Sequence, residues 1–188
     1  NTTHKKIISD MLTPVSIYLR LRAKFKNCIL LESSDYHGDE HNFSYICFHP
    51  IAGFKVEGNN FIANYPDKTK KEINLKENKL TDCINSFIQS FTIHHSSLNI
   101  ISNGLFGYMT YDVVQYFEDI QLNKPKPEIP IAQYFCYQYI IAFNHFNHEL
   151  FIIKNEVENG ENDKTTLDEI ESINGSGVTI SRLHINGF

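Results

Sequence analysis

The chain has 188 residues, 41% hydrophobic and 21% charged, enough to bury roughly 70% of its unfolded surface without staples, as one domain or one and a small part of another. A net charge of −5, with no basic run longer than Lys70-Lys71, excludes a nucleic-acid-binding stripe. No apolar run approaches membrane-spanning length and no signal peptide is expected. The four cysteines, Cys28, Cys47, Cys83 and Cys136, lie far apart in apolar contexts, which reads as reduced core residues of a cytoplasmic protein and excludes a disulfide frame or zinc site.

Residues 1–12 are polar with scattered apolar positions, an arm with a helical turn; Asn1 in place of a methionine raises the expectation of further residues before it. Thr13-Pro14 then has the form of a helix N-cap and first turn, because the hydroxyl satisfies a free N–H and the proline has none to waste. Ile17, Leu21 and Phe25 recur every four residues, predicting a helix over 14–26 with one apolar face. A strand over 28–32 follows, taken as central, and it runs straight into Glu32, Ser33 and Ser34. A strand mouth collects such residues in any turn. The same residues also make a polar lip for a small zwitterion, a carboxylate for an ammonium and hydroxyls for polar groups.

Residues 34–42 are loop by composition. His37 and His41 flank Asp39 and Glu40 there, but nothing in a Gly-containing loop aims two rings at one ion. A second strand, 43–48, is expected to end at His49-Pro50, since proline cannot donate to a ladder. Phe54 and Val56, then Phe61, Ala63 and Tyr65, flank Gly58-Asn59-Asn60 as a hairpin. Residues 66–79 are charged surface with a short strand at 72–75. Leu80, Ile84, Phe87, Ile88 and Phe91 form a helical stripe over 80–91, and His94-His95 complements its C-terminal dipole.

Gly104 and Gly107 interrupt a strand-like run at 105–109, the mark of close backbone approach; their spacing makes no phosphate cradle. A short helix over 111–118 carries Asp112 in its first turn. Pro125, Pro127 and Pro130 mark an extended connector. Two long strands follow, 132–143 and 150–157, around a turn holding His145 and His148, to which no metal role is given. The run 139–143 is expected to be covered on both faces. Beyond 160 the chain reads as a linker and tail: a helix over 164–173, a break at Gly175-Ser176-Gly177, and a strand over 178–188 without an evident partner, open between an addition foreign to the domain and the start of a further element.

Four of these stretches, in this order, carry a resemblance: Thr13-Pro14-Val15, Leu30-Leu31-Glu32-Ser33, Phe43-Ser44-Tyr45-Ile46 followed by His49-Pro50, and Gly104-Leu105-Phe106-Gly107-Tyr108-Met109 with Tyr111-Asp112. Across about residues 5–160 the chain resembles the N-terminal region of anthranilate synthase component I, a chorismate-utilising family; aminodeoxychorismate synthase component I, of the folate pathway, shares the architecture and is the near alternative. The resemblance implies an α+β domain over 1–160: a sandwich-like half, an antiparallel sheet with packed helices. It implies a parent lyase that makes anthranilate from chorismate and glutamine-derived ammonia, the first committed step of tryptophan biosynthesis. Its partners are a glutamine amidotransferase component II and a C-terminal chorismate-binding domain, which holds the catalytic residues and Mg²⁺ and is absent from this chain. Alone, the chain is therefore expected to be catalytically silent, with no catalytic residue, metal site or cofactor of its own. In the family this region is an allosteric domain that contributes part of the feedback-inhibition site for L-tryptophan. The matching residues are Leu31, Glu32, Ser33 and Ser44. The other side of that pocket comes from the C-terminal half, so weak binding or none is expected here, and the basic residue common near the second strand is replaced by Phe43-Ser44. The rival from another class is a stand-alone interaction module without a metabolite, which need not self-associate where half a sandwich should. A metal hydrolase built on the nine histidines fails on spacing.

Overall fold

Two long strands carry the architecture. In the computed structural model, which describes residues 1–9, 12–33, 42–91, 100–120, 122, 128–158 and 162–175, strand β3 (Phe43–Glu57) pairs antiparallel with β7 (Ala132–Asn144) from Phe43 opposite Asn144 to Val56 opposite Ala132. Shorter strands flank this ladder in two groups. Beside its first half, β2 (Ile29–Leu31) pairs with β3, and β8 (Glu149–Asn155) pairs with β7 and carries β1 (Thr2–Ile8). Beside its second half, β4 (Asn60–Asn64) pairs with β3 and carries β5 (Lys70–Asn74), while β6 (Phe106–Met109) pairs with β7. The result is one eight-stranded sheet, antiparallel throughout, with helices packed on it. The expected α+β class holds.

Helix α1 (Pro14–Arg22) starts as its sequence predicts. The Thr13 side chain accepts from the Ser16 N–H at 3.2 Å, and Ser16 closes a capping box. It stops four residues short of the expected end, where Asn27 adopts a positive φ of 56°; Phe25 still reaches the core and packs on Phe48 at 4.8 Å between ring centroids. Ile17 and Leu21 of α1, with Ile170 of α3 (Leu167–Gly175), bury against Ile46, Phe48, Tyr139, Ile141 and Ile152. On β3 these even-numbered positions continue into Ala52, Phe54 and Val56, which pack under Leu80, Cys83 and Phe87 of α2 (Leu80–Gln89). The alternate positions, Tyr45 and Cys47, belong to a third cluster with Phe106, Tyr137, Ile140 and Ile153. Every residue from Tyr137 to Asn144 is buried, as expected for a strand covered on both faces.

Three expectations are corrected. The arm at 1–12 holds a strand, β1, because the open edge of β8 supplies a partner for every residue from Thr2 to Ile8. The strand expected to end at Phe48 runs on to Glu57. Its register shifts between Pro50 and Ala52, with His49 at a φ of 59°, so a bulge absorbs the missing proline donor and the ladder resumes. Strand β2, expected to be central, is three residues at an edge and pairs only with β3 among the described residues.

The glycine expectation holds at Gly107. A side-chain carbon there would overlap the Gln133 carbonyl oxygen and stand 2.7 Å from Tyr134 Cα, so β6 reaches β7 only because the position is bare. A 3₁₀ helix (Tyr111–Tyr116) follows β6 where a short helix is predicted, and Tyr116 tacks it to the β3–β4 turn by donating to the Gly58 carbonyl at 2.7 Å. Helix α3 is built into the same core. Gln138, fully buried, exchanges two hydrogen bonds with the Asp163 backbone at 2.9 and 3.1 Å, and the buried Tyr139 hydroxyl has the Asp163 carboxylate at 3.0 Å and the Thr165 carbonyl at 2.9 Å as acceptors. The four cysteines are free thiols, Cys47 and Cys83 buried, and burial pushes Cys28 and Cys136 up to about 11. The loop 34–41, His94-His95, Pro125, Pro127 and the strand at 178–188 lie outside the described residues.

Candidate ligand site at the end of the sheet

Strand β2 runs antiparallel to β3, so its C-terminal end lies beside the start of β3. Leu31 is opposite Tyr45, which brings Glu32 and Ser33 to the level of Ser44 and Phe43. Leu31 is 38% exposed, Glu32 is exposed and Ser33 is half-buried. Ser44 is fully buried. The Ser33 backbone N–H donates to the Ser44 hydroxyl at 3.4 Å, a long bond by ordinary geometry. The structure thus brings Leu31, Glu32, Ser33 and Ser44 together, with Ser44 behind the lip and the other three on it.

A fifth residue joins them from the far end of the chain. The β7–β8 turn places His145 so that its Nε2 lies 2.7 Å from Ser44 Oγ. The turn is shaped by Asn144, whose side-chain oxygen accepts from the N–H groups of Phe146 and Asn147 at 2.8 and 3.4 Å, an Asx turn. The His145 N–H donates to the Asn42 carbonyl at 2.9 Å, and its ring packs on Phe143 at 5.1 Å. Sequence reasoning assigned His145 to the turn and asked only whether it bound a metal. The one signal available was a histidine in a turn after a buried strand, which does not report a contact 101 residues away.

What this end of the sheet can do is bounded by its groups. It offers one accessible carboxylate, a hydroxyl, backbone groups and the Leu31 side chain, the set a small zwitterion with an apolar body requires. Among the described residues, no group of three or more His, Cys, Asp or Glu side chains converges as a metal site. A cleft of about 980 Å³ lies elsewhere, between α2, the β4–β5 turn and the end of β8, with Tyr65, Phe87, Phe91, Leu105 and Tyr137 in its walls. Sequence reasoning did not foresee it, since its walls come from seven separate stretches.

Over 166 residues the chain is 27% identical to anthranilate synthase component 1 of Lactococcus lactis, an alignment covering 85% of this chain. It is 29% identical over 129 residues to the Aquifex aeolicus protein of the same name, and 27% identical over 143 residues to that of Leptospira biflexa. The chain is similar to the N-terminal region of anthranilate synthase component I. The alignments span 34%, 25% and 27% of those component 1 chains, so the chain corresponds to about a third of their length or less. A solved anthranilate synthase component I, from Streptococcus pneumoniae TIGR4, aligns with a TM-score of 0.48 and 22% identity, covering 90% of this chain and 35% of that one. No family model matches the chain. Among the described residues no helix is long and apolar enough to cross a membrane.

Proposed function

We propose that this chain is the regulatory region of an anthranilate synthase component I and that Leu31, Glu32 and Ser33, backed by Ser44, form its share of a feedback site for L-tryptophan. The observation that carries the reading is a coincidence of two kinds. The chain is similar to three anthranilate synthase component 1 chains, and the residues that suit a zwitterionic ligand gather at one exposed end of the sheet. Glu32 accepts from the α-ammonium, the Ser33 hydroxyl bonds a polar group, and Leu31 lies against the indole.

In this reading the parent enzyme works in the cytoplasm, takes chorismate and ammonia from a glutamine amidotransferase partner, and performs the chemistry in a separate chorismate-binding region. Mg²⁺ belongs to that region as well. The task of this chain is to bind the pathway's end product and to change shape or contacts on doing so, which requires different affinities for the ligand in the two states.

The test is the anisotropy of free L-tryptophan titrated with this chain. The sequence contains no tryptophan, so all indole signal belongs to the ligand. Saturable binding that Ser33→Arg abolishes supports the site. Binding that Ser33→Arg leaves unchanged removes it from Leu31–Ser33.

A further inference from the structure

The Ser44 hydroxyl has one proton and two lone pairs, and it is fully buried, away from solvent. Its two partners among the described residues are the Ser33 N–H and His145 Nε2. A backbone N–H can only donate, so it occupies a lone pair of Ser44 Oγ. In the tautomer that leaves Nε2 without a proton, this nitrogen, 2.7 Å away, accepts from the Ser44 hydroxyl. In that tautomer the chain of bonds runs in one direction, from Ser33 N–H to Ser44 Oγ and from Ser44 O–H to His145 Nε2. It crosses β3 and ties the lip of the site to the β7–β8 turn.

We propose that His145 is a positioning residue of this ligand site, holding the Glu32–Ser33 backbone in place through Ser44. The inference rests on the ligand reading of Leu31–Ser33 but concerns a bond that exists without ligand. By taking the Ser44 proton, the imidazole keeps the serine oriented as an acceptor toward Ser33. His145 is itself held at three points: its backbone N–H on the Asn42 carbonyl, the Phe143 ring beside its imidazole, and the Asn144 side chain closing the turn. Without an acceptor at this position Ser44 is left with a buried, unpaired proton, and it recovers a partner only by rotating away from Ser33. The ligand then meets a lip whose two polar groups are no longer preset.

Amide hydrogen exchange at Ser33, read by NMR on this chain, tests the bond directly. His145→Ala is expected to speed exchange at Ser33 by about tenfold, as is Ser44→Ala, and the double variant is expected to do no more than either. His145→Gln, whose side-chain oxygen can still accept from Ser44, is expected to restore most of the protection. A histidine that serves only to pack the turn would give equal effects in the alanine and glutamine variants. That result, or Ser33 exchange unmoved by His145→Ala, overturns the proposal. Titration with L-tryptophan separates the two readings. A Ser33 amide that responds to His145 in a chain that binds no tryptophan keeps the bond and means that the ligand needs the other side of the pocket as well. Binding that is unchanged in His145→Ala while Ser33 exchange rises removes the positioning role.

Discussion

The two halves of the β3–β7 ladder are closed by different means. In the half that carries β2, β8 and β1, two helices cover a core of aliphatic side chains with Phe48, Tyr139 and Phe143 among them, and polar bonds of defined geometry lock its margin: Gln138 and Tyr139 to the Asp163 segment, Ser44 to His145. In the half that carries β4, β5 and β6, α2 sits on a bed of rings, Phe54 against Phe61 at 5.0 Å, Phe54 against Phe87 at 5.5 Å and Phe87 against Phe91 at 5.0 Å, and the 980 Å³ cleft opens beside it. Ring pairs settle into offset or edge-on arrangements and contribute mainly buried area, whereas buried hydrogen bonds are costly to leave unmade.

The sharpest way to break this contrast is Phe87→Ala. Phe87 is 1% exposed and touches three other rings, so its loss is expected to cost about 3–5 kcal/mol. Urea unfolding followed by amide exchange checks it: protection should fall first in α2 and β4, with the α1–α3 half outlasting them. An unchanged melt would mean that α2 does not hold its half of the sheet. On the polar side, Tyr139→Phe leaves the Asp163–Thr165 segment without its buried donor and is expected to cost about 1–2 kcal/mol by thermal melt.

Acid should act on the same anchor. Hydrogen bonds from Thr165 hold the Asp163 carboxyl below its ordinary value of 3.8, with Tyr139 adding to the effect. A depressed folded pKa contributes stability that is present above the unfolded value and lost as pH falls through the folded one. Melts from about pH 5 down to about pH 2 should therefore steepen in the native chain and be flatter in Asp163→Asn. The smallest effect is a gain. The Tyr137 hydroxyl is buried with no hydrogen-bond partner among the described residues, and Tyr137→Phe is expected to raise stability by up to about 1 kcal/mol.

How much of this was legible in the residues follows from the range of the interactions. The Thr13-Pro14 cap, the Gly58 turn, the apolar stripe of α2 and the two long strands at the end were readable, because each is decided within a few residues by hydroxyl geometry, backbone freedom or periodicity. Leu31, Glu32 and Ser33 stood out as a possible lip for the same reason. Three features were not readable. The polar segment 2–8 becomes a strand because β8 offers it an edge; Pro50 fails to end β3 because a bulge opposite β7 makes room for it; His145 meets Ser44 because a ladder folds the chain back across 101 residues. The sequence by itself determined where helices and turns begin and which faces are apolar, since those depend on neighbours along the chain. Only the tertiary structure decided which edge is paired, where the ladder bends and which side chain meets a buried serine, since those depend on groups that become neighbours only when the sheet forms.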